Sequence, residues 1–336
     1  MFSKDIGIDL GTANVSIYVK GRGIVLDEPS VVAVDNESKK ILQVGEEARR
    51  MVGRTPGNIV AIRPLREGVI ANFEMTEIML KYFIDKVDGR KWYSHPRILI
   101  CAPTNITSVE QKAIREAAKK SGAKEVFLED EPKAAAIGAG MDIFQPSGNM
   151  VVDIGGGTTN VAVISMGDIV ASSSIKIAGD KFDDAIIKYI KNKYKLLIGE
   201  RTAEDIKIKI ATVSPDGRQE EMDIRGRDMV TGLPLSITVK SNEIKEALME
   251  SVAAIVSAAK SLLEITPPEL SADIIDKGII VTGGGALLHG LDQLLNEELL
   301  VPVLVADDPM HCVVKGTGAM LDNLDKVSKK SPYKGL

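Results

Sequence analysis

Apolar and polar positions alternate through the first twenty residues. Ile6, Ile8 and Leu10 alternate with Asp5, Gly7 and Asp9, and after Gly11-Thr12-Ala13-Asn14 the alternation resumes at Val15, Ile17 and Val19. Period two on both sides of a short turn predicts a β-hairpin. Residues 150–165, MVVDIGGGTTNVAVIS, repeat the plan: an apolar strand with an aspartate near its end, then glycine and threonine, then a β-branched strand. A further hairpin is predicted through Gly167-Asp168 into IVASSSIKI.

Helical periodicity comes between these strands. Residues 74–86 place Ile78, Leu80, Tyr82 and Phe83 near one face, and residues 108–120 have Ser108 as a predicted N-cap, with Gln111 three residues on and Gly122 just past the end. Residues 181–195 and 242–264 also read as helices, the second stopped by Pro267-Pro268. Strands alternating with helices predict an α/β protein. Residues 213–239 read as an excursion of short strands, and the tail 328–336 as frayed. In residues 279–288, IIVTGGGALL, a strand runs into three glycines and a helix is predicted from Ala286.

The glycine clusters carry the first chemistry. A dinucleotide fingerprint or a P-loop needs a helix directly after its glycines, because the helix N-terminus holds the phosphate. Here TTNVAVI, a strand former, follows instead. The pattern therefore predicts a phosphate-gripping hairpin whose donors are backbone N–H groups and threonine hydroxyls. There are two such turns, roughly one per half of the chain, which implies two related halves facing each other across a cleft.

Composition narrows the partners. The chain has 336 residues, 44% of them hydrophobic, enough for about two domains. Its net charge of −5 leaves no basic excess, so nucleic acid is not an expected partner. Cys101 and Cys312 lie far apart, which argues for a reducing compartment, and His95, His289 and His311 have no metal-ligand spacing. The opening residues lack the apolar region and cleavage site of a signal peptide, and no run approaches the ~20 apolar residues of a membrane span. The expectation is a cytoplasmic protein whose membrane contact is peripheral.

DIGIDLGTANV, EPKAAAIGAG, VVDIGGGTTNVAVIS, IIVTGGGALLHGL and KGTGAML follow one another in an order that resembles the actin/heat-shock-chaperone/sugar-kinase ATPase superfamily. Within it the chain is similar to the MreB and Mbl-type bacterial actins. The stretches DEPSVVAV, MVGRTPGNIVAIRPLREGVIANFE, LLIGERTAEDIKIKI and TPPELSADI extend that likeness over nearly the whole chain.

The resemblance implies an actin-like ATPase fold: two related α/β domains, each with a smaller subdomain, around a nucleotide cleft. The first half would be residues 1–140 with a returning segment from about 312, and the second 141–311 with a small subdomain at about 180–245. ATP phosphates would lie between Gly11, Thr12, Ala13 and Asn14 on one side and Gly155, Gly156, Gly157, Thr158 and Thr159 on the other. Asp9 and Asp153 would hold Mg through water, although Asp9 alone also reads as a turn-capping residue. Glu131, the acid immediately before Pro132, would orient the attacking water with help from Thr158; the acidic run 129–131 otherwise reads as a solvated loop. Glu204, Asp205, Ile206 and Lys207 would meet the ribose and base, where an exposed Glu204–Lys207 salt bridge is the plainer alternative. Gly283, Gly284, Gly285 and Ala286 would let backbone approach the adenine and α-phosphate region. Residues 134–140 and Gly316-Thr317-Gly318-Ala319 resemble the two interdomain connections. At position 160 the resemblance implies an acid, but Asn160 stands there, across the strand from Thr159.

The chain's single tryptophan lies in DGRKWYSHPRI. Trp92 and Tyr93, beside Arg90, Lys91 and Arg97, read either as a small satellite core or as an anchor in anionic lipid. The family resemblance favours the anchor. It also implies a slow ATPase that joins head to tail with itself, forming filaments at the inner face of the cell membrane that work with cell-wall elongation proteins to set rod shape. A small-molecule kinase on the same fold is the alternative, and a chaperone-type ATPase would need a peptide-binding module after the last nucleotide motif.

Overall fold

The computed structural model describes residues 5–88, 95–104, 106–322 and 324. Trp92 and Tyr93 lie outside the described residues.

The chain opens with an antiparallel meander, β1 (Asp5–Leu10), β2 (Asn14–Val19) and β3 (Gly23–Pro29). A small sheet follows, of β4 (Val32–Asp35), β5 (Ile41–Val44) and β6 (Ile59–Ile62), with the short helix α1 (Glu46–Met51) beside it. After a ribbon of β7 (Leu65–Arg66) and β8 (Val69–Ile70), helix α2 (Phe73–Asp88) returns the chain to β9 (Arg97–Ala102), which pairs parallel to β1. Helix α3 (Ser108–Lys120) crosses to β10 (Glu125–Asp130), parallel to β9. The sheet order is β10-β9-β1-β2-β3.

Helix α4 (Glu131–Gly138) leads to a second copy of the plan. Strands β11 (Asn149–Ile154), β12 (Thr159–Ser165) and β13 (Asp168–Ile175) form the meander. Its last turn holds Met166 and Gly167 at φ 53° and 80°, the left-handed pair that a two-residue hairpin needs. An excursion runs through α5 (Gly179–Tyr194), β14 (Leu196–Leu197), α6 (Glu200–Ile210), β15 (Glu221–Asp228), β16 (Pro234–Lys240) and α7 (Ser241–Ile265). Helix α8 (Pro268–Lys277) then brings in β17 (Ile279–Thr282), and α9 (Leu291–Leu299) brings in β18 (Val303–Val305). The order β18-β17-β11-β12-β13 matches the first sheet strand for strand. The architecture is α/β, as the alternation of elements predicts.

Every residue of β11 is buried, because this central strand is covered on both faces and so reads as a continuous apolar run. Each sheet has its own core, and a third cluster joins them. It gathers Leu99 and Cys101 of the first sheet, Val151, Ala162 and Ile164 of the second, and Ala134, Ala135 and Ala136 of α4. Helix α10 (Cys312–Leu321) packs against α4 so tightly that a Cβ at Gly138 would lie 1.8 Å from the Cys312 carbonyl oxygen, and one at Gly316 would lie 1.9 Å from that of Ala134. Small residues are thus required where these two segments cross.

Two local expectations need correcting. The N-cap of α3 is Thr107 and not Ser108: its hydroxyl accepts the Glu110 N–H at 3.3 Å while the Glu110 carboxylate accepts the Thr107 N–H at 2.6 Å. That reciprocal box satisfies two helix-end donors, which Ser108 with Gln111 does not. After the third glycine cluster, Gly284–Leu287 is one 3-10 turn and regular helix begins only at Leu291, because Gly290 interposes a left-handed residue at φ 78°.

Candidate functional site

The two meander turns meet face to face. A Cβ on Gly156 would lie 2.7 Å from the Ala13 Cβ, and one on Gly157 would lie 2.5 Å from the Thr12 hydroxyl. Only glycine permits this approach. Each turn is braced from behind. The Ser30 hydroxyl donates to the Gly11 carbonyl at 2.7 Å and the Ser30 N–H to that of Ala13 at 2.8 Å. In the second turn the Gly155 N–H donates to the Thr158 carbonyl at 2.9 Å, while the Gly179 and Asp180 N–H groups donate to the carbonyls of Gly155 and Gly156 at 3.1 and 2.7 Å. The start of α5 is therefore fastened to the turn. The Thr159 hydroxyl is fully buried and donates to the Ile177 carbonyl at 2.6 Å, so its side chain braces the strand. Thr158 lies against Gly68 of the β7–β8 turn, beside a cavity of about 250 Å³ lined also by Glu67, Pro103, Ser174 and Lys176. A cavity of about 880 Å³ between α5 and α7 is lined by none of the predicted site residues.

Three carboxylates converge behind the turns. Asp9 keeps some solvent access, yet burial and the charges of Asp153 and Asp27 push it up to about 7, with His311 opposing. Burial pushes Asp153 up to about 6 against a 2.7 Å hydrogen bond from the Thr282 hydroxyl. Glu131, 8% exposed at the first position of α4, is held well above the usual carboxylate range by burial and then by Asp9 and Asp153. The structure thus places 129–131 in a buried strand–helix junction, not a solvated loop. Among the described residues no cluster of three or more protein ligands could enclose a metal. Two repelling carboxylates at adjoining strand ends instead fit a hard divalent ion that keeps waters and phosphate oxygens as its other ligands.

Helix α6 departs from the salt-bridge expectation. Glu204 pairs with Arg49 of α1 at 2.9 Å, and the Lys207 ammonium donates to Asp183 at 2.8 Å and to the Gly179 carbonyl at 3.1 Å. Ile206 is fully buried, and Asp205 faces Lys209 at 4.0 Å. Gly283 and Gly285 press on Ile154: a Cβ at either would lie 2.3 or 2.2 Å from its carbonyl oxygen or side chain. Ala286 is buried, and a Cβ on Gly284 would stand in ordinary van der Waals contact with Met310, 3.9 Å away.

Sequence reasoning missed the contacts that span the cleft. Besides Arg49–Glu204, Arg63 pairs with Asp180 at 2.9 Å, and Glu67 takes Lys176 and Lys181 at 3.5 and 3.6 Å. It also missed Asp27, which accepts from Asn14 and Ser16 and faces His311 at 3.4 Å. These partners are separated by more than a hundred residues, or by a strand pairing whose register is not written in either segment alone.

The comparisons with known proteins cover nearly the whole chain. The family model described as MreB/Mbl protein matches residues 3–329. The cell shape-determining protein Mbl of Bacillus subtilis is 75% identical over 330 residues, covering 98% of this chain and 99% of that protein. The cell shape-determining protein MreB of Escherichia coli K12 is 53% identical, covering 97% and 95%. The crystal structure of MreB5 of Spiroplasma citri bound to AMPPNP superposes with a TM-score of 0.93 at 41% identity, covering 97% of this chain and 98% of that one; the same protein bound to ADP gives 0.92. The fold is therefore actin-like, and the chain belongs to the MreB/Mbl family.

Proposed function

We propose that the chain binds and slowly hydrolyses ATP between its two sheets, and that it assembles head to tail into filaments at the inner face of the cell membrane. There it directs cell-wall synthesis together with the elongation proteins and sets rod shape. The observation that carries this reading is the pair of opposed glycine turns, each entered by a strand whose penultimate residue is an aspartate, Asp9 or Asp153. Family membership supports it, as do the AMPPNP and ADP bound to MreB5. The relatives named above are cell shape-determining proteins, and none supports a small-molecule kinase.

In this reading the halves are 1–140, with the segment from about 312 returning to it, and 141–311. Gly11, Thr12, Ala13 and Asn14 grip the phosphates from one side and Gly155, Gly156, Gly157 and Thr158 from the other, with the buried Thr159 hydroxyl bracing the second turn through the Ile177 carbonyl. Glu204, Asp205 and Lys207 form the ribose and base wall, with Ile206 packed in the core beneath them, and Gly283, Gly284, Gly285 and Ala286 approach the adenine. Asp9 and Asp153 hold magnesium through water, and that ion supplies charge neutralisation for the β- and γ-phosphates. Glu131 orients a water in line with the γ-phosphorus, with Thr158 holding it. As the new oxygen–phosphorus bond forms and the bond to the β-phosphate oxygen breaks, Glu131 accepts the water proton. Burial, with Asp9 and Asp153 nearby, raises the affinity of Glu131 for that proton. Trp92 and Tyr93 anchor the polymer, where many weak contacts add; among the described residues no helix is long and apolar enough to cross a membrane.

Electron microscopy on anionic vesicles with magnesium and ATP, run beside a phosphate-release assay, tests this. Wild type should form filaments and release phosphate. Glu131→Gln should form filaments and lose about 100-fold or more in release. Trp92→Ala/Tyr93→Ala should leave filaments in solution but not on vesicles. Wild-type protein that neither binds nucleotide nor polymerises would refute the reading.

A further inference from the structure

We infer that Asn160 is a positioning residue for Glu131, held in place by Ser174. The inference rests on the hydrolytic reading above and goes one residue beyond it. Asn160 is fully buried on β12. Its amide nitrogen donates to Glu131 Oε2 at 2.8 Å, and its amide oxygen accepts the Ser174 hydroxyl at 2.7 Å. The two contacts fix each other. Because Ser174 donates to Oδ1, the amide must present Nδ2 to Glu131, and a donor bound to one carboxylate oxygen leaves Oε1 to accept from water. Asn160 faces Ser174 directly across the β12–β13 pair and Asp153 across β11–β12, so strand register sets its place.

The residue type matters for electrostatic reasons. Glu131 already feels the negative charges of Asp9 and Asp153. The acid that family resemblance implies at this position would set a further carboxylate within hydrogen-bond distance. Asn160 supplies a neutral donor instead, and its hydrogen bond favours the ionised, proton-accepting form of Glu131. Ser174, which holds the Asn160 amide, also lines the cavity beside Thr158. An unpinned Glu131 would sample rotamers in which Oε1 no longer meets the water, and a displacement of about 1 Å in such a group costs up to about 100-fold in rate.

Single-turnover ATP hydrolysis and nucleotide affinity, measured on the full chain with magnesium, separate the possibilities. Asn160→Ala should slow hydrolysis about 10- to 50-fold while the ATP Kd stays within about twofold. Ser174→Ala, which leaves the amide free to rotate, should slow it about threefold with the same unchanged affinity; it also decides the matter if Asn160→Ala does not fold. Glu131→Gln is the reference. If Glu131→Gln is inactive but Asn160→Ala and Ser174→Ala hydrolyse ATP at the wild-type rate, Asn160 does not position Glu131. Loss of affinity in step with rate would make Asn160 a structural residue only. If Glu131→Gln itself hydrolyses normally, the hydrolytic reading falls and this inference falls with it.

Discussion

The two halves close the same hairpin in the same register and hang different chemistry on it. Leu10 faces Val15 across the first turn and Ile154 faces Thr159 across the second, with four residues between in each case. One step back along the strands, Asp9 faces Ser16 and Asp153 faces Asn160. One strand further out, Ser16 faces Asp27 and Asn160 faces Ser174. In the first half the relay ends on charge: Ser16 and Asn14 donate to Asp27, which faces His311. In the second it ends on a candidate base, as Ser174 holds Asn160 and Asn160 holds Glu131. The repeated backbone fixes where side chains stand, and the side chains decide whether that place binds charge or moves a proton.

The strand-end aspartates offer the largest test of this difference. Both have folded-state values above their ordinary 3.8, about 7 for Asp9 and about 6 for Asp153. The folded chain therefore keeps protons that the unfolded chain gives up, and the stability these groups contribute falls as pH rises from about 4 through those values. Without metal or nucleotide, Asp9→Asn should raise unfolding stability at pH 8 by about 2–4 kcal/mol and leave it unchanged at pH 4. Asp153→Asn should gain less, about 1–2 kcal/mol, because the Thr282 hydroxyl loses a charged acceptor. Denaturant titrations across that pH range measure both. Equal slopes for the two variants would break the asymmetry. With magnesium and ATP the sign should reverse, since the ion then needs both carboxylates.

A smaller test uses the first glycine of each turn. Gly11 and Gly155 are equivalent in the repeat, yet a Cβ on Gly11 would lie 2.6 Å from the Asn14 carbonyl oxygen, whereas one on Gly155 would lie 3.3 Å from that of Thr158. The first distance forces backbone to move and the second asks for a few tenths of an ångström. Gly11→Ala should cost about 1–2 kcal/mol and Gly155→Ala under about 0.5 kcal/mol, read from thermal or denaturant midpoints. Equal costs would mean that the first turn relaxes as freely as the second.

Much of this frame was legible in the chain itself. Period-two alternation on both sides of glycine marks both meanders, and strand–helix alternation marks the sheets they join. The turns, Asp9, Asp153 and Glu131 stood out because strand ends and glycines have local signatures. Asn160 stood out only as a departure, and nothing local told that its amide meets Glu131, 29 positions earlier. The fate of Thr159 was equally hidden. Its hydroxyl reads as a phosphate donor until the β12–β13 pairing turns it toward the Ile177 carbonyl. Glu204 and Lys207 share a helical face as their spacing requires, but each finds a partner on another element, which a helical wheel does not contain.

The smallest expected effect concerns the outer rim of the cleft, where the halves meet through charges. Arg49 and Glu204 stand 2.9 Å apart with side chains 43% and 33% exposed. Such a pair gains little, because water screens it and two long side chains must be held still, so Arg49→Ala should change stability by under about 0.5 kcal/mol. Arg63–Asp180 has similar exposure and the same 2.9 Å distance, but Asp180 also donates its N–H to the Gly156 carbonyl in the second glycine turn. Loss of Arg63 therefore reaches the site, and loss of Arg49 stops at the rim. Arg63→Ala should weaken ATP binding about three- to fivefold, Arg49→Ala less than twofold, and raising the salt from about 0.1 to 0.5 M should erase most of both differences. Isothermal titration at two ionic strengths measures the contrast. If Arg49→Ala is the more damaging variant, closure of the cleft depends on α1 meeting α6, and the fastening of α5 to the second turn is secondary.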